Sequence, residues 1–161
     1  MANTQSMCTS FLGELMTATH NFGTAPIRAA STADTFKAAL YFASATVNAS
    51  TTAYSVTGEV TNSSGSGYTA GGTTVTNGTA PTATNSSSTA GTAYWTPTAS
   101  FSWSALTVTT AFDAVLIYNS TQSNKAVSVH TFGSQTITAG TFTLTMPSNT
   151  TAAALIRIAT T

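Results

Sequence analysis

The run Phe112-Asp-Ala-Val-Leu-Ile-Tyr118 sets Phe112, Ala114, Leu116 and Tyr118 on one face of an extended segment and Val115 and Ile117 on the other. A strand that is apolar on both faces has to be covered on both, so it belongs in the middle of a sheet. Other runs carry the same period of two. Phe36, Ala38, Leu40 and Phe42 alternate, and Phe101, Trp103 and Ala105 oppose Ser100, Ser102 and Ser104. Val127 and Val129 alternate with Ser128 and His130, Phe142, Leu144 and Met146 run up to Pro147, and Leu155, Ile156 and Ile158 surround Arg157. Tyr54 to Val60 is a weaker strand signal. About eight short strands at this spacing predict an all-β fold, a two-sheet β-sandwich of jelly-roll or immunoglobulin-like kind.

Helical periodicity occurs once, over residues 4–19, where Met7, Phe11 and Leu15 recur at every fourth position beside Cys8, Leu12 and Met16. Thr4 or Ser6 can cap its start. Gly13 weakens it by about 1 kcal/mol relative to Ala, so the helix needs a surface to lie on. The expected organisation is a single domain over 1–161, with an N-terminal α-helix at 4–19 and the sandwich over 35–159. Flexible loops are expected at 61–67, around Asn-Ser-Ser-Gly-Ser-Gly, and at 77–92, which opens with Asn77-Gly78 and Pro81. The small, unpatterned residues 23–33 read as a connection in which Arg28 can pair with Asp34 or with a neighbouring chain. Gly71-Gly72, inside a strand-like run, points to a bulge or a close approach of two backbones; no Lys-Ser/Thr follows to make a phosphate loop.

Charge excludes several functions. Only 5% of residues are charged, four basic and four acidic, so no field steers the chain toward nucleic acid or a membrane surface. Ser and Thr make up 57 of the 161 residues, which favours strands and turns. Near-zero net charge leaves little repulsion between copies and suits a protein packed into an assembly. No 18-residue apolar run exists, and no basic segment followed by an apolar stretch opens the chain, so synthesis in the cytosol without export is expected.

The residues that could do chemistry are few. His20 has Glu14 and Asp34 as potential partners, but the commoner role for a histidine closing a helix is to complement its dipole. His130 falls on the polar side of its strand and is expected to face solvent or an interface. Cys8, the lone cysteine, reads as a small buried hydrophobe, with no disulfide and no Cys/His metal spacing. Six Asn-x-Ser/Thr triplets, at Asn48, Asn62, Asn77, Asn85, Asn119 and Asn149, read as turn chemistry. Tyr94, Trp95 and Trp103 could stack on a sugar, but lack nearby acidic and amide groups; core packing is their commoner use. No catalytic residue, cofactor site or metal site is expected, and an enzyme is the least favoured class.

Several ordered blocks together resemble a family of small virion proteins of tailed bacteriophages. They are Met1-Ala-Asn-Thr-Gln-Ser-Met-Cys-Thr-Ser-Phe11, Thr35-Phe-Lys-Ala-Ala-Leu-Tyr41, Ser50-Thr-Thr-Ala-Tyr54, Tyr68-Thr-Ala-Gly-Gly72, Leu116-Ile-Tyr-Asn119 and Ile156-Arg-Ile158. The likeness spans nearly the whole chain; the 61–67 and 77–92 segments are longer than the pattern. It implies a virion component, with a capsid decoration or cement protein as the leading expectation and a neck, tail, baseplate or glycan-binding role as the alternatives. The implied partners are the major capsid protein and copies of the chain itself, in a small homo-oligomer such as a trimer, with no nucleic acid and no membrane. The implied location is the virion, after synthesis in the host bacterial cytoplasm. The interface candidates are Met7, Phe11, Leu15, Arg28, Tyr68, Tyr94 and Trp95.

Overall fold

The computed structural model describes residues 3–16, 19–22, 33–61, 65–77, 81–84 and 91–159. In chain order the elements are β1 (Ser6–Met7), α1 (Thr9–Met16), β2 (Phe36–Phe42), β3 (Thr73–Thr74), β4 (Thr82–Thr84), β5 (Thr92–Trp95), β6 (Phe101–Asn119), β7 (Lys125–Leu144) and β8 (Ile156–Ala159). The fold is all-β, with two antiparallel sheets and one short helix among the described residues. One sheet has the order β1-β7-β6-β2-β3 and the other β4-β5-β8. Two compact units result. The first holds Met1–His20, Asp34–Val75 and Ser102–Thr143, and the second holds Asn21–Ala33, Thr76–Phe101 and Leu144–Thr161.

In the first unit β6 is central, as its two-sided apolar run predicts: Phe112 and residues 114–119 are buried between β2 and β7. The pairing with β2 runs from Phe36↔Asn119 to Tyr41↔Ala114 and then skips to Phe42↔Phe112, leaving Asp113 as the extra residue of a bulge. Asn3 ties this bulge down. Its amide donates to Asp113 Oδ1 (2.6 Å) and to the Phe42 carbonyl (3.1 Å), while its Oδ1 accepts the Val47 N–H (3.0 Å).

The hairpin of β6 and β7 turns through residues 120–124. Asn119 Oδ1 accepts the N–H groups of Thr121 (3.1 Å) and Gln122 (3.2 Å), an Asx turn, and Ser123 and Asn124 adopt positive φ. Asn48 does similar work, accepting the Ser50 N–H at 2.9 Å. These two triplets are turn chemistry, as read from the sequence; Asn62 and Asn85 lie outside the described residues.

Each strand of the hairpin changes face once. Phe101 and Trp103 are buried, Ala105 turns outward at φ 53°, and burial resumes on Leu106 and Val108. In β7 Ile137 is half-buried, Ala139 sits at φ 47°, and Gly140 and Phe142 are half-buried beyond it. Thr107 Oγ1 accepts the Ala139 N–H at 3.0 Å. Ala105 therefore does not share a face with Phe101 and Trp103 as the alternation predicts. Past the shift the aromatic row stays continuous: Trp103 stacks on Phe142 with centroids 5.8 Å apart, and Phe142 meets Phe112 and Phe132 at 5.2 and 5.0 Å.

The Gly-Gly pair is a close backbone approach. A Cβ on Gly72, at φ 72°, would stand 1.9 Å from the Ala38 carbonyl oxygen, so only glycine lets β3 lie against β2. Tyr54 to Val60 forms no strand; it turns, touching the sheet through the isolated bridge Tyr41↔Glu59, just after the bridge Ala53↔Lys125.

The helix is shorter than residues 4–19. Ser6 and Met7 pair instead with Val129 and Ser128 of β7, and the Cys8 N–H closes onto the Val127 carbonyl at 3.0 Å. The sheet edge satisfies these backbone groups outright, whereas a helix interrupted by Gly13 would leave its first turn to be capped. Cys8 and Phe11 are fully buried, and burial followed by the Glu14 charge pushes the Cys8 thiol up to about 11, which keeps it protonated.

In the second unit β5 pairs with both β4 and β8, setting Trp95 opposite Ile156 and Tyr94 opposite Arg157. Trp95 is buried against Phe22, with ring centroids 4.7 Å apart. The Leu155 N–H caps the start of β8 by donating to Thr96 Oγ1 at 3.0 Å. The expected 77–92 loop thus contains a strand, β4; its residues 78–80 and 85–90, like 62–64 of the other loop, lie outside the described residues.

Candidate functional site

All four carboxylates of the chain are engaged in hydrogen bonds inside the first unit. Asp113 holds the bulge through Asn3. Glu14, Asp34 and Glu59 form two polar centres, and among these three side chains of the sequence Glu59 is 3% and Asp34 5% exposed.

The first centre joins α1 to the hairpin turn. Glu14 accepts from Lys125 Nζ through Oε1 (2.6 Å) and meets His20 Nε2 through Oε2 (2.7 Å). Asn119 Nδ2 reaches both His20 Nδ1 (3.1 Å) and Asp34 Oδ2 (2.8 Å), and Gln122 Nε2 donates to Asp34 Oδ1 (3.1 Å). Asn119 Oδ1 already accepts two backbone N–H groups, so its nitrogen is the donor and His20 Nδ1 the acceptor. The His20 proton then sits on Nε2, aimed at Glu14.

Burial lowers the His20 pKa against the opposing pull of Glu14 and Asp34. Burial also works against ionisation of Glu14, but hydrogen bonds from Lys125 and His20 prevail and hold its carboxyl below the usual range. Both ring nitrogens of His20 are engaged, and its ring lies edge-on to Phe11 at 4.9 Å. The structure thus gathers the Glu14, His20 and Asp34 considered from sequence, and uses them to fasten the helix to the sheet. The dipole-complementing role expected of His20 is replaced by these contacts.

The second centre was not legible in the sequence. Glu59 Oε1 accepts the Tyr68 hydroxyl and the Gly71 N–H, both at 2.7 Å, and Oε2 accepts the Tyr54 hydroxyl at 2.6 Å. The Tyr68 oxygen in turn accepts the Leu40 N–H (3.0 Å), and the Tyr118 hydroxyl donates to the Gly71 carbonyl (2.8 Å). Tyr54 and Tyr118 stack with centroids 4.5 Å apart. Burial first and the Glu59 charge second raise the Tyr68 phenol, and the same two causes push Tyr118 up to about 12; both remain donors. This centre binds Tyr54, Glu59, Tyr68 and Gly71 to β2 and β6.

The interface candidates separate into two groups. Phe11, Tyr68 and Trp95 are buried and make internal contacts. Met7, now on β1 rather than on the helix, and Leu15 and Tyr94 are half-buried; Arg28 lies outside the described residues. His130 is half-buried, not open to solvent, with its Nε2 2.9 Å from Ser128 Oγ, and burial pushes it down to about 4.

What remains outside carries few charges: among the described residues Arg157 is exposed and Lys37 half-buried. A depression of about 430 Å³ is lined by Tyr41, Val47, Ser44, Thr46, Thr51, Ser55 and Thr57, among others. Val56 beside it, 68% exposed, and Ile158 in the second unit are the large apolar side chains most open to solvent among the described residues. No group of three His, Cys, Asp or Glu side chains among the described residues is placed to hold a metal ion. No described helix is long and apolar enough to cross a membrane. Comparison with protein-family models, with curated proteins and with solved structures finds no match.

Proposed function

We propose that the chain is a structural component of a bacteriophage virion, a decoration or cement protein that binds and stabilises the lattice of the major capsid protein. The observation that carries this reading is a hydroxyl-rich exterior with few charges: every carboxylate is engaged internally, and Arg157 is the exposed charged side chain among the described residues. Such a surface makes many short polar contacts without the desolvation penalty of charges. Several copies engaging one lattice would add their affinities through multivalency, with apolar points such as Val56 as anchors. The family likeness of the sequence blocks supports the same reading. The finer fold assignment, a jelly-roll or immunoglobulin-like sandwich, belongs with this proposal and rests on the strand number and antiparallel pairing.

Mass-spectrometric copy counting on purified particles tests the proposal. A copy number in fixed proportion to the major capsid protein is expected, and particles lacking the protein should assemble but lose DNA more readily on heating. Rebinding to such particles should be nearly independent of salt, because neutral contacts are not screened. Absence from particles, or a copy number matching a single ring of the neck or tail, overturns the decoration role.

A further inference from the structure

We infer that the outer edge of β7, over Thr131 to Thr138, is a self-pairing surface through which two copies of this chain join antiparallel strands into one continuous sheet. β1 covers that edge only at Ser128 and Val129. Beyond it the N-terminal segment departs, since the Thr4 N–H bonds the Val47 carbonyl at 3.2 Å. No other described strand pairs with this side of β7, while β6 occupies the inner side. An open strand edge presents alternating N–H and C=O groups that only another strand satisfies in register.

Sheet edges in proteins that stay single are blunted by lysines, prolines or shortness. This one has none of these. From Ala126 to Met146 there is no charged residue and no proline, and Gly133 to Thr136 are exposed. The positive φ of Ala139 ends the regular stretch, its N–H bonding Thr107 Oγ1.

A second copy is the occupant that fits. Antiparallel pairing about a two-fold axis near Gln135 sets the same segment against itself, and in any register neutral residues stand opposite neutral ones. Thr and Ser dominate the exposed positions, and Thr–Thr and Thr–Ser cross-strand pairs are favourable. Eight paired residues make about eight hydrogen bonds, the number found in an ordinary stable interface. The inference does not depend on where the protein resides, so its failure and that of the virion reading are separate results.

Analytical ultracentrifugation of the full chain across a concentration series, with the double variant Gln135→Lys/Thr136→Lys, tests it. Both side chains are exposed, so the variant should keep the wild-type circular dichroism and melting temperature. The wild type is expected to be a dimer. The variant, with lysines facing lysines, should dissociate about tenfold more readily or be wholly monomeric. A folded variant that dimerises like the wild type overturns the inference, and so does a wild type that is monomeric or trimeric. If the double variant unfolds, Gln135→Lys alone is read by the same criteria.

Discussion

Replacing Glu59 tests whether the buried tyrosine centre holds the sheet together. Glu59→Ala removes the acceptor of three hydrogen bonds, two of which come from the buried Tyr68 hydroxyl and Gly71 N–H. Tyr54 is half-buried and can turn to water. Each buried donor left unsatisfied costs about 1–3 kcal/mol, and the cavity adds about 1, so a loss of about 3–7 kcal/mol is expected. That is a large share of the 5–15 kcal/mol typical of a whole domain.

Glu59→Gln keeps the shape and one acceptor oxygen for Tyr68 and Gly71, while its amide can donate to Tyr54. It gives up only the charge assistance and should cost about 1–2 kcal/mol. Urea unfolding followed by tryptophan fluorescence and far-ultraviolet circular dichroism measures both, and a double-mutant cycle with Tyr68→Phe isolates the shared bond. A coupling of at least about 1 kcal/mol is expected. If Glu59→Ala costs less than about 1 kcal/mol, or no more than Glu59→Gln, the centre is not what binds Tyr68 and Gly71 to the sheet.

Acid should loosen the fold. The folded His130 titrates at about 4 against an ordinary 6.5, so below pH 6.5 the unfolded chain takes up a proton that the native one refuses. Stability present above pH 6.5 is then lost as pH falls toward 4, by about 2 kcal/mol between pH 7 and pH 5. His20 is shifted the same way, and Glu14, held below its usual range, extends the loss to lower pH. Urea midpoints measured from pH 8 to pH 5 should fall, and less steeply in His130→Gln; equal slopes would refute the assignment to His130. Gly72→Ala should destabilise by more than about 3 kcal/mol, because a left-handed φ costs an L-residue about 1–2 and the new Cβ must push β3 off the Ala38 carbonyl. Hydrogen exchange should show β3 unprotected in that variant, and a native-like exchange pattern would contradict the close approach.

The central strand was legible because residues 112–118 are apolar on both faces, and the Gly71-Gly72 contact because two adjacent glycines in a strand have few other uses. The hairpin's change of face was not, since alanine at positive φ leaves no mark in a pattern of polar and apolar residues. Met7 was assigned to the helix because a period of four and pairing with a sheet edge both suit a Ser-Met dipeptide; tertiary hydrogen bonding decided between them. Of the polar centres, Glu14, His20 and Asp34 stood out as rare charges in a neutral chain. Glu59, Tyr54, Tyr68 and Tyr118 became a group only when residues far apart in sequence met around one carboxylate and the Gly71 backbone. Four of the seven interface candidates are aromatic, and their size is what drives Phe11, Tyr68 and Trp95 into the interior.

The matched alanines at 105 and 139 make the two arms of the long hairpin interdependent in length. Losing one residue from either arm alone would swing that arm's apolar row to the wrong side from there to its end, stranding Trp103 or Phe142 away from its stacking partner. Losing both together would restore the match, so natural drift in this part of the chain has to proceed by coordinated insertions or deletions rather than single ones.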